Sequence, residues 1–171
     1  MIVELSDDVS RAVIPYAKKD ELRQTLKLMK KTMDDKERTL RAAVSDKVVE
    51  EAKQLCQEQP NAKFIVHQFN ASNNTKALDS ALKQVKTLSG ETSALFVSVD
   101  EDGKKIFCLA AVPKSAIAKG LKANEWIQQL SSLMGGKGGG KPESAQASGS
   151  NYDKADQILE LAKKFASSKL D

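Results

Sequence analysis

Histidine, cysteine and aromatic residues are scarce in this chain of 171 residues, and their scarcity excludes several classes of protein. One histidine, His67, and two cysteines, Cys56 and Cys108, are too few for a Cys/His metal cluster or a disulfide framework. With no second histidine, no Cys–His pair and no paired carboxylates near the glycine-rich run at 135–142, we expect no catalysis by this chain. Aromatic residues make up only 5% of the chain, so Leu, Val, Ala and Ile must build its core.

Long apolar runs are also missing. No run approaches the ~18 residues that a membrane-spanning helix needs, so we expect no membrane partner. The residues after Met1, Ile2-Val3-Glu4 and then further acids, do not resemble a signal peptide. Together with the absence of a disulfide framework, this predicts a reducing, cytoplasmic location.

Arginine is absent after Arg41, and lysine carries the positive charge instead. Residues 104–141 hold seven lysines and a single acid, Glu125. These lysines are Lys104, Lys105, Lys114, Lys119, Lys122, Lys137 and Lys141. Lysine neutralises phosphates but cannot form the bidentate hydrogen bonds that arginine makes to a base edge. This segment therefore predicts contact with a nucleic-acid backbone and little recognition of base sequence.

A long helix is predicted from about residue 16 to residue 59, because this stretch contains no glycine or proline. Apolar residues spaced by four and three form a heptad seam, interrupted by Lys36, that predicts packing against another helix: either a second copy, in a homodimer, or a helix lost by truncation. The seam residues are Leu22, Leu26, Met29, Met33 and Leu40. Past Ala43 the stripe shifts to Val44, Val48, Ala52 and Leu55, which predicts packing on the chain's own globular part.

The remainder alternates strand and helix patterns. Residues 63–69, 94–99 and 105–112 are predicted strands, and residues 145–149 a short extra one. A helix before Gly90 joins the first two strands, which predicts a parallel pair, and the third adds an antiparallel hairpin. We therefore expect an α+β fold, with a helical subdomain at 1–60 and a globular domain at 61–171 that contains a mixed sheet packed by helices.

A glycine-rich run fills residues 135–142, after a helix that we expect to be capped by Asn124 and stopped by Gly135. The run is predicted to be a loop, which serves either as tight packing against the sheet or as an anion site. Gly135 to Lys141 fits G-x-x-x-x-G-K, but Pro142 replaces the Ser or Thr that holds magnesium. The run also follows a helix instead of a strand, so nucleotide hydrolysis is not predicted.

The residues around this run resemble a known family. Leu121 to Trp126, then Gly136 to Pro142, then Ser144 to Ala147 are similar to the C-terminal domain of alanyl-tRNA synthetase, in the DHH-associated superfamily. DHH phosphoesterases carry a histidine after the glycines; here Lys141 stands there, which favours the synthetase branch. The lysine-rich composition resembles a eukaryotic cytosolic member.

The resemblance implies a non-catalytic appendage of an alanine–tRNA ligase, a class II synthetase. Such a domain binds the outer corner of tRNA and supports aminoacylation and editing by the parent enzyme; some animal members bind DNA instead. Alanine tRNA or another nucleic acid is thus the implied partner. The domain itself uses no cofactor: ATP and magnesium, with zinc as a further candidate, belong to the parent's other domains.

The implied nucleic-acid-binding residues are Gly138, Gly139, Gly140, Lys141 and Gln146 of the motif, with Lys137 and the other lysines of 104–141 extending the track. Two alternatives remain open at this point. The first is an interaction module that dimerises through the heptad seam and has little tRNA affinity. The second is a degenerate phosphoesterase.

Overall fold

The computed structural model describes residues 2–170, with Ile2 described by its backbone alone. Six α-helices, one 3-10 helix at Tyr152–Lys154 and five strands follow one another in these residues, and the α+β class is confirmed. Their bounds are α1 Ile2–Arg11, α2 Tyr16–Glu58, β1 Phe64–Phe69, α3 Thr75–Leu88, β2 Ser93–Asp100, β3 Lys105–Ala111, α4 Lys114–Ala118, α5 Ala123–Met134, β4 Gly136–Lys141, β5 Ser144–Gly149 and α6 Ala155–Leu170.

The five strands form one mixed sheet in the order β1-β2-β3-β5-β4. Strands β1 and β2 run parallel on either side of α3 in the chain, as predicted. The β2–β3 hairpin, the β3–β5 pair and the β5–β4 pair are all antiparallel. Strands β1 and β4 are therefore the two outer edges of the sheet.

The chain divides into two compact units, residues 1–43 and residues 44–171. In the first unit, Lys19 Nζ donates to the carbonyl of Ser10 at 3.1 Å, and Arg23 donates to the Ser10 hydroxyl at 3.2 Å. The predicted seam lies on the surface here: Leu22, Met29, Met33 and Leu40 are 42%, 55%, 59% and 68% exposed, and Leu26 is half-buried. Dimerisation through this seam stays a prediction.

In the second unit, helices cover both faces of the sheet. Helices α5 and α6 pack on one face, where Trp126 is fully buried and donates from Nε1 to the carbonyl of Ala162 at 3.0 Å. Helix α3 and the end of α2 lie on the other face, where Val48 and Ala52 are buried. The shifted stripe of the long helix therefore packs on this unit, as predicted.

His67 lies in β1 on the face that meets α2. Its Nε2 is 2.9 Å from Glu51 Oε1, and its ring meets the edge of Phe69 with centroids 4.7 Å apart. Both contacts are within the fold, so His67 acts here as a structural side chain.

Two local predictions around α5 are wrong. Residues 136–141 of the glycine run form a strand instead of a loop, because each of them pairs with a residue of β5 across the two-residue turn Pro142–Glu143. Helix α5 begins at Ala123 with Lys122 at the cap position, so Asn124 is not the cap. Gly135 does end the helix, in the left-handed conformation with φ of 62°.

Candidate nucleic-acid interface

The two faces of β4 have different surroundings, because successive residues of a strand point to opposite faces. A Cβ added to Gly138 would lie 2.6 Å from Ile127 Cγ2, so this glycine faces α5. Gly139 faces the other way, and a Cβ added there would meet nothing within 4 Å. Lys137 and Lys141 share the open face with Gly139.

The open face continues across β5 and β3 as far as α3. The register places Phe107, Ser148 and Lys137 in one row across β3, β5 and β4, and Leu109, Gln146 and Gly139 in the next row. Helix α3 packs on β2 and β3, so this half of the face stays uncovered by the described helices. We call it the sheet trough: Thr75 at the start of α3, with Phe107, Leu109, Lys137, Gly139, Gln146 and Ser148 around a cavity of about 510 Å³.

The trough has an aromatic floor and a positive rim. Phe107 is half-buried between its strand neighbours and presents the remainder of its ring to the cavity. Gln146 and Lys137 are exposed beside it. Lys137 is the single charged side chain among the residues that line the cavity, so no lining carboxylate offsets its field.

The structure brings only some of the predicted lysines to the trough. Lys137 lines the cavity, and Lys141 lies four residues further along the same face of β4, beside the lining residues. We call these two lysines the rim. Lys105 extends the same face of β3 beyond Phe107 and stands opposite Asp100 in the register. Lys104 sits in the preceding turn with φ of 50°.

The other three lysines lie elsewhere on this unit. Lys122 pairs with Glu125 at 2.9 Å. Lys119 lines a separate cavity of about 420 Å³ beside Lys63 and Leu170. Lys114 borders a third cavity, of about 460 Å³, whose lining carries three lysines and three acids. These charges are Lys83, Lys86, Lys114, Asp79, Glu91 and Glu143. The positive segment of the sequence therefore does not form one continuous track.

Three of the four β4 glycines are accounted for by packing. Besides its approach to Ile127, a Cβ on Gly138 would lie 2.7 Å from that of Ala147. A Cβ on Gly140, whose φ is 155°, would lie 2.5 Å from the Cα of Ala145. Gly136 likewise leaves no space for a side chain against β5. Only Gly139 combines a free face with exposure to the trough.

Four residues around the trough were not predicted as site residues: Thr75, Phe107, Leu109 and Ser148. The sequence of β3 is apolar on both faces, so nothing in it shows that the Phe107 side is partly uncovered. Thr75 reaches the trough because α3 starts there, after Asn74 caps the helix by accepting from the Ala77 N–H at 3.3 Å. These contacts depend on sheet order, which local patterns do not encode.

Among residues 2–170, no group of three or more His, Cys, Asp or Glu side chains lies together as a metal site. The cysteines are buried and unpaired, and burial raises the pKa of the Cys108 thiol far above its usual range. A thiol in that state is a poor nucleophile. No helix within the same residues is long and apolar enough to cross a membrane.

The fold and the glycine strand define a class of protein. The chain belongs to the DHHA1 domain family, whose model matches residues 61–168. Within that class it corresponds to the C-terminal region of cytoplasmic alanine–tRNA ligases, which confirms the predicted resemblance. It is 65% identical to the cytoplasmic alanine–tRNA ligase of Drosophila melanogaster over 169 residues, which are 99% of this chain and 18% of that protein.

The chain thus spans about a fifth of the length of the curated relatives it matches. The predicted cytoplasmic location agrees with those relatives, which are cytoplasmic by name. Among solved structures, RecJ of Thermus thermophilus aligns with 90% of this chain and 20% of its own length, at a TM-score of 0.54 and 14% identity. That likeness shows a shared fold. The C-Ala domain of Aquifex aeolicus alanyl-tRNA synthetase aligns with 62% of this chain and 90% of its own, at a TM-score of 0.48 and 23% identity.

Proposed function

We propose that this chain is a non-catalytic appendage of an alanine–tRNA ligase and binds nucleic acid, in particular alanine tRNA at its outer corner, through the sheet trough. By holding tRNA there it supports aminoacylation and editing by the parent enzyme. The observation that carries the proposal is the uncovered half of the sheet, with Lys137 and Lys141 on the rim and Phe107 on the floor.

The rim suits phosphate groups. The side chains of Lys137 and Lys141 are exposed on one face of β4, at a spacing of about 13 Å for four residues of extended chain. Gly139 lies between them with no side chain, so a nucleic-acid backbone can approach the sheet closely. Lysine pairs with phosphate as a point charge, and such binding weakens steeply as salt is added.

The floor suits a base. Phe107 offers an aromatic surface on which a base with a free face can stack, an interaction worth about 1–3 kcal/mol. Gln146 projects beside it and carries both a hydrogen-bond donor and an acceptor for a base edge. Bases with a free face occur where an RNA strand leaves the double helix or where a stack of bases ends, as at the outer corner of tRNA.

A binding titration tests the proposal. The 171-residue chain is titrated with alanine tRNA and with duplex DNA of equal charge, at low and at physiological salt. We expect Lys137→Ala/Lys141→Ala to weaken binding strongly, because both positions are on the rim. Lys30→Ala/Lys31→Ala removes the same charge from the exposed surface of α2 and serves as the matched control.

The outcomes separate three cases. Selective tRNA binding that only the rim variant loses supports the tRNA function. Equal binding to both nucleic acids indicates a DNA-binding member of the family. No binding at low salt contradicts the proposal.

A second variant tests the floor of the trough. Phe107→Leu keeps the core apolar and removes the ring, so it should weaken binding without changing the salt dependence of binding.

A second candidate function is dimerisation, and the exposure of the heptad seam favours it. Four of the five seam residues are at least 42% exposed, which is unusual for a regular row of large apolar side chains. In this proposal, the module joins two copies of the chain and has little affinity for RNA. Sedimentation over a wide concentration range tests it: Met29→Lys/Met33→Lys should abolish a dimer, and a strict wild-type monomer contradicts it.

A further inference from the structure

The outer edge of β4 is an open edge of the sheet. Strand β4 pairs with β5 on one side and has no neighbouring strand on the other among residues 2–170. Its six residues are all exposed, and its register with β5 is unbroken from Gly136 to Lys141. Proteins commonly protect such edges with a proline, a bulge or a covering helix. In β4 the only residues of a type that protects an edge are two lysines, Lys137 and Lys141.

The hydrogen bonds of the sheet fix which peptide groups β4 turns outward. The N–H of Val112 donates to the carbonyl of Glu143 at 2.9 Å, so Glu143 turns its peptide groups toward β3. Along an antiparallel strand the direction alternates from residue to residue. Counting from Glu143, every second residue thus turns its N–H and C=O groups toward β3. The residues between them in β5, which are Ser144, Gln146 and Ser148, turn these groups toward β4.

The partners of these three residues on β4 are Lys141, Gly139 and Lys137, which therefore bond inward. The N–H and C=O groups of Gly136, Gly138 and Gly140 point away from the sheet. The position of the Gln146 carbonyl oxygen, 3.2 Å from where a Cβ on Gly138 would lie, agrees with this alternation. The outward groups thus all belong to residues without side chains.

The chemistry of this edge matches a peptide strand better than a phosphate. Each outward glycine offers a donor and an acceptor side by side. A phosphate has acceptors alone and would be repelled by the carbonyls, whereas an extended peptide offers the complementary donor and acceptor at the same spacing. The phosphate contacts proposed above use the rim lysines on the trough face, at a right angle to this edge.

We propose that the β4 edge binds an extended acidic peptide segment of a partner protein, which adds a sixth strand to the sheet. Its main chain pairs with Gly136, Gly138 and Gly140, and its acidic side chains, four residues apart on the trough face, stand opposite Lys137 and Lys141. A second copy of β4 is a poorer occupant: the register that matches all three glycines would bring the two sets of lysines diagonally together.

The test uses a peptide with this pattern, acetyl-Thr-Glu-Val-Thr-Val-Glu-Thr-amide, and amide NMR of the 171-residue chain. We expect chemical-shift changes and slower hydrogen exchange at the three outward glycines. The same peptide with both valines N-methylated keeps its charge but loses the donors that face Gly138 and Gly140, and the methyl groups obstruct the pairing, so it should not bind. A peptide with lysines in place of both glutamates should bind roughly 2- to 30-fold more weakly.

Charge reversal provides a variant that does not touch the packing of β4. Lys137→Glu/Lys141→Glu should reverse the preference, so that the lysine peptide binds more tightly than the glutamate peptide. Equal binding of the N-methylated peptide would overturn the inference, as would absence of binding at millimolar peptide. The inference would also be overturned if tRNA, or a rising protein concentration, changed the amide signals of the outward glycines and the peptide did not. The first result would assign the edge to phosphate, and the second to another copy of the chain.

Discussion

Gly138 and Gly139 are adjacent in β4, but a methyl group added to each meets very different surroundings. In Gly138→Ala the new Cβ would lie 2.6 Å from Ile127 Cγ2 and 2.7 Å from the Ala147 Cβ. Ile127 is fully buried and the Ala147 Cβ is fixed to its backbone, so neither can move away easily. In Gly139→Ala the new methyl group has no atom within 4 Å.

The expected free energies of unfolding follow from these contacts. Forcing an extra methyl group into a packed core costs about 1–3 kcal/mol, so Gly138→Ala should lose that much stability. Gly139→Ala restricts the unfolded chain without a clash and should be neutral or gain up to about 1 kcal/mol. For a chain of this size, Gly138→Ala should lower Tm by about 2–12 °C.

Thermal and urea unfolding, followed by circular dichroism, measure both variants against the wild-type chain. We expect Gly138→Ala to unfold earlier, with an unchanged urea slope, and Gly139→Ala to unfold at or above the wild-type midpoint. Equal midpoints for the two variants would refute the packing role of Gly138, and with it the assignment of the two faces of β4.

Three further predictions concern the rest of the globular unit. Trp126→Phe should cost about 1–3 kcal/mol in urea unfolding, because it removes the indole hydrogen bond to the Ala162 carbonyl and leaves a gap in the core; a cost within experimental error of zero would contradict this. The raised pKa keeps the Cys108 thiol neutral under mildly alkaline conditions, so it should resist a thiol reagent until urea is added, and fast labelling of the folded chain would disprove it. Glu51→Gln should change stability by less than about 1 kcal/mol, because its contact with His67 is partly solvated, and a larger effect at low and high salt alike would count against this.

The long helix and the β1–α3–β2–β3 segment could be predicted because their signals are local. Helix α2 is predicted by a long stretch of helix-forming residues without glycine or proline. The parallel pair is predicted by two apolar strand patterns on either side of a helix that ends before Gly90. The shift of the apolar stripe at Val44 even indicates where α2 joins the globular unit, since Val48 and Ala52 are buried there.

The glycine strand could not be predicted in the same way. Glycine has a low preference for strands, and β4 forms because β5 and α5 hold it: Gly138 fits under Ile127, and no larger residue could. The trough was missed for a related reason. Phe107 and Lys137 are far apart in the sequence, and only the order β3-β5-β4 brings them onto one uncovered face.

The salt dependence of tRNA binding reports how many phosphates the β4 lysines neutralise. Each phosphate that the protein no longer neutralises lowers the slope of log K against log salt by about 0.7–0.9. For Lys137→Ala/Lys141→Ala, which removes two such charges, we predict weaker binding and a slope reduced by about 1.4–1.8, while Lys30→Ala/Lys31→Ala should keep the wild-type slope. Equal slopes for the wild-type chain and the rim variant, or an equal weakening in both variants, would contradict the claim that the β4 lysines hold the nucleic acid.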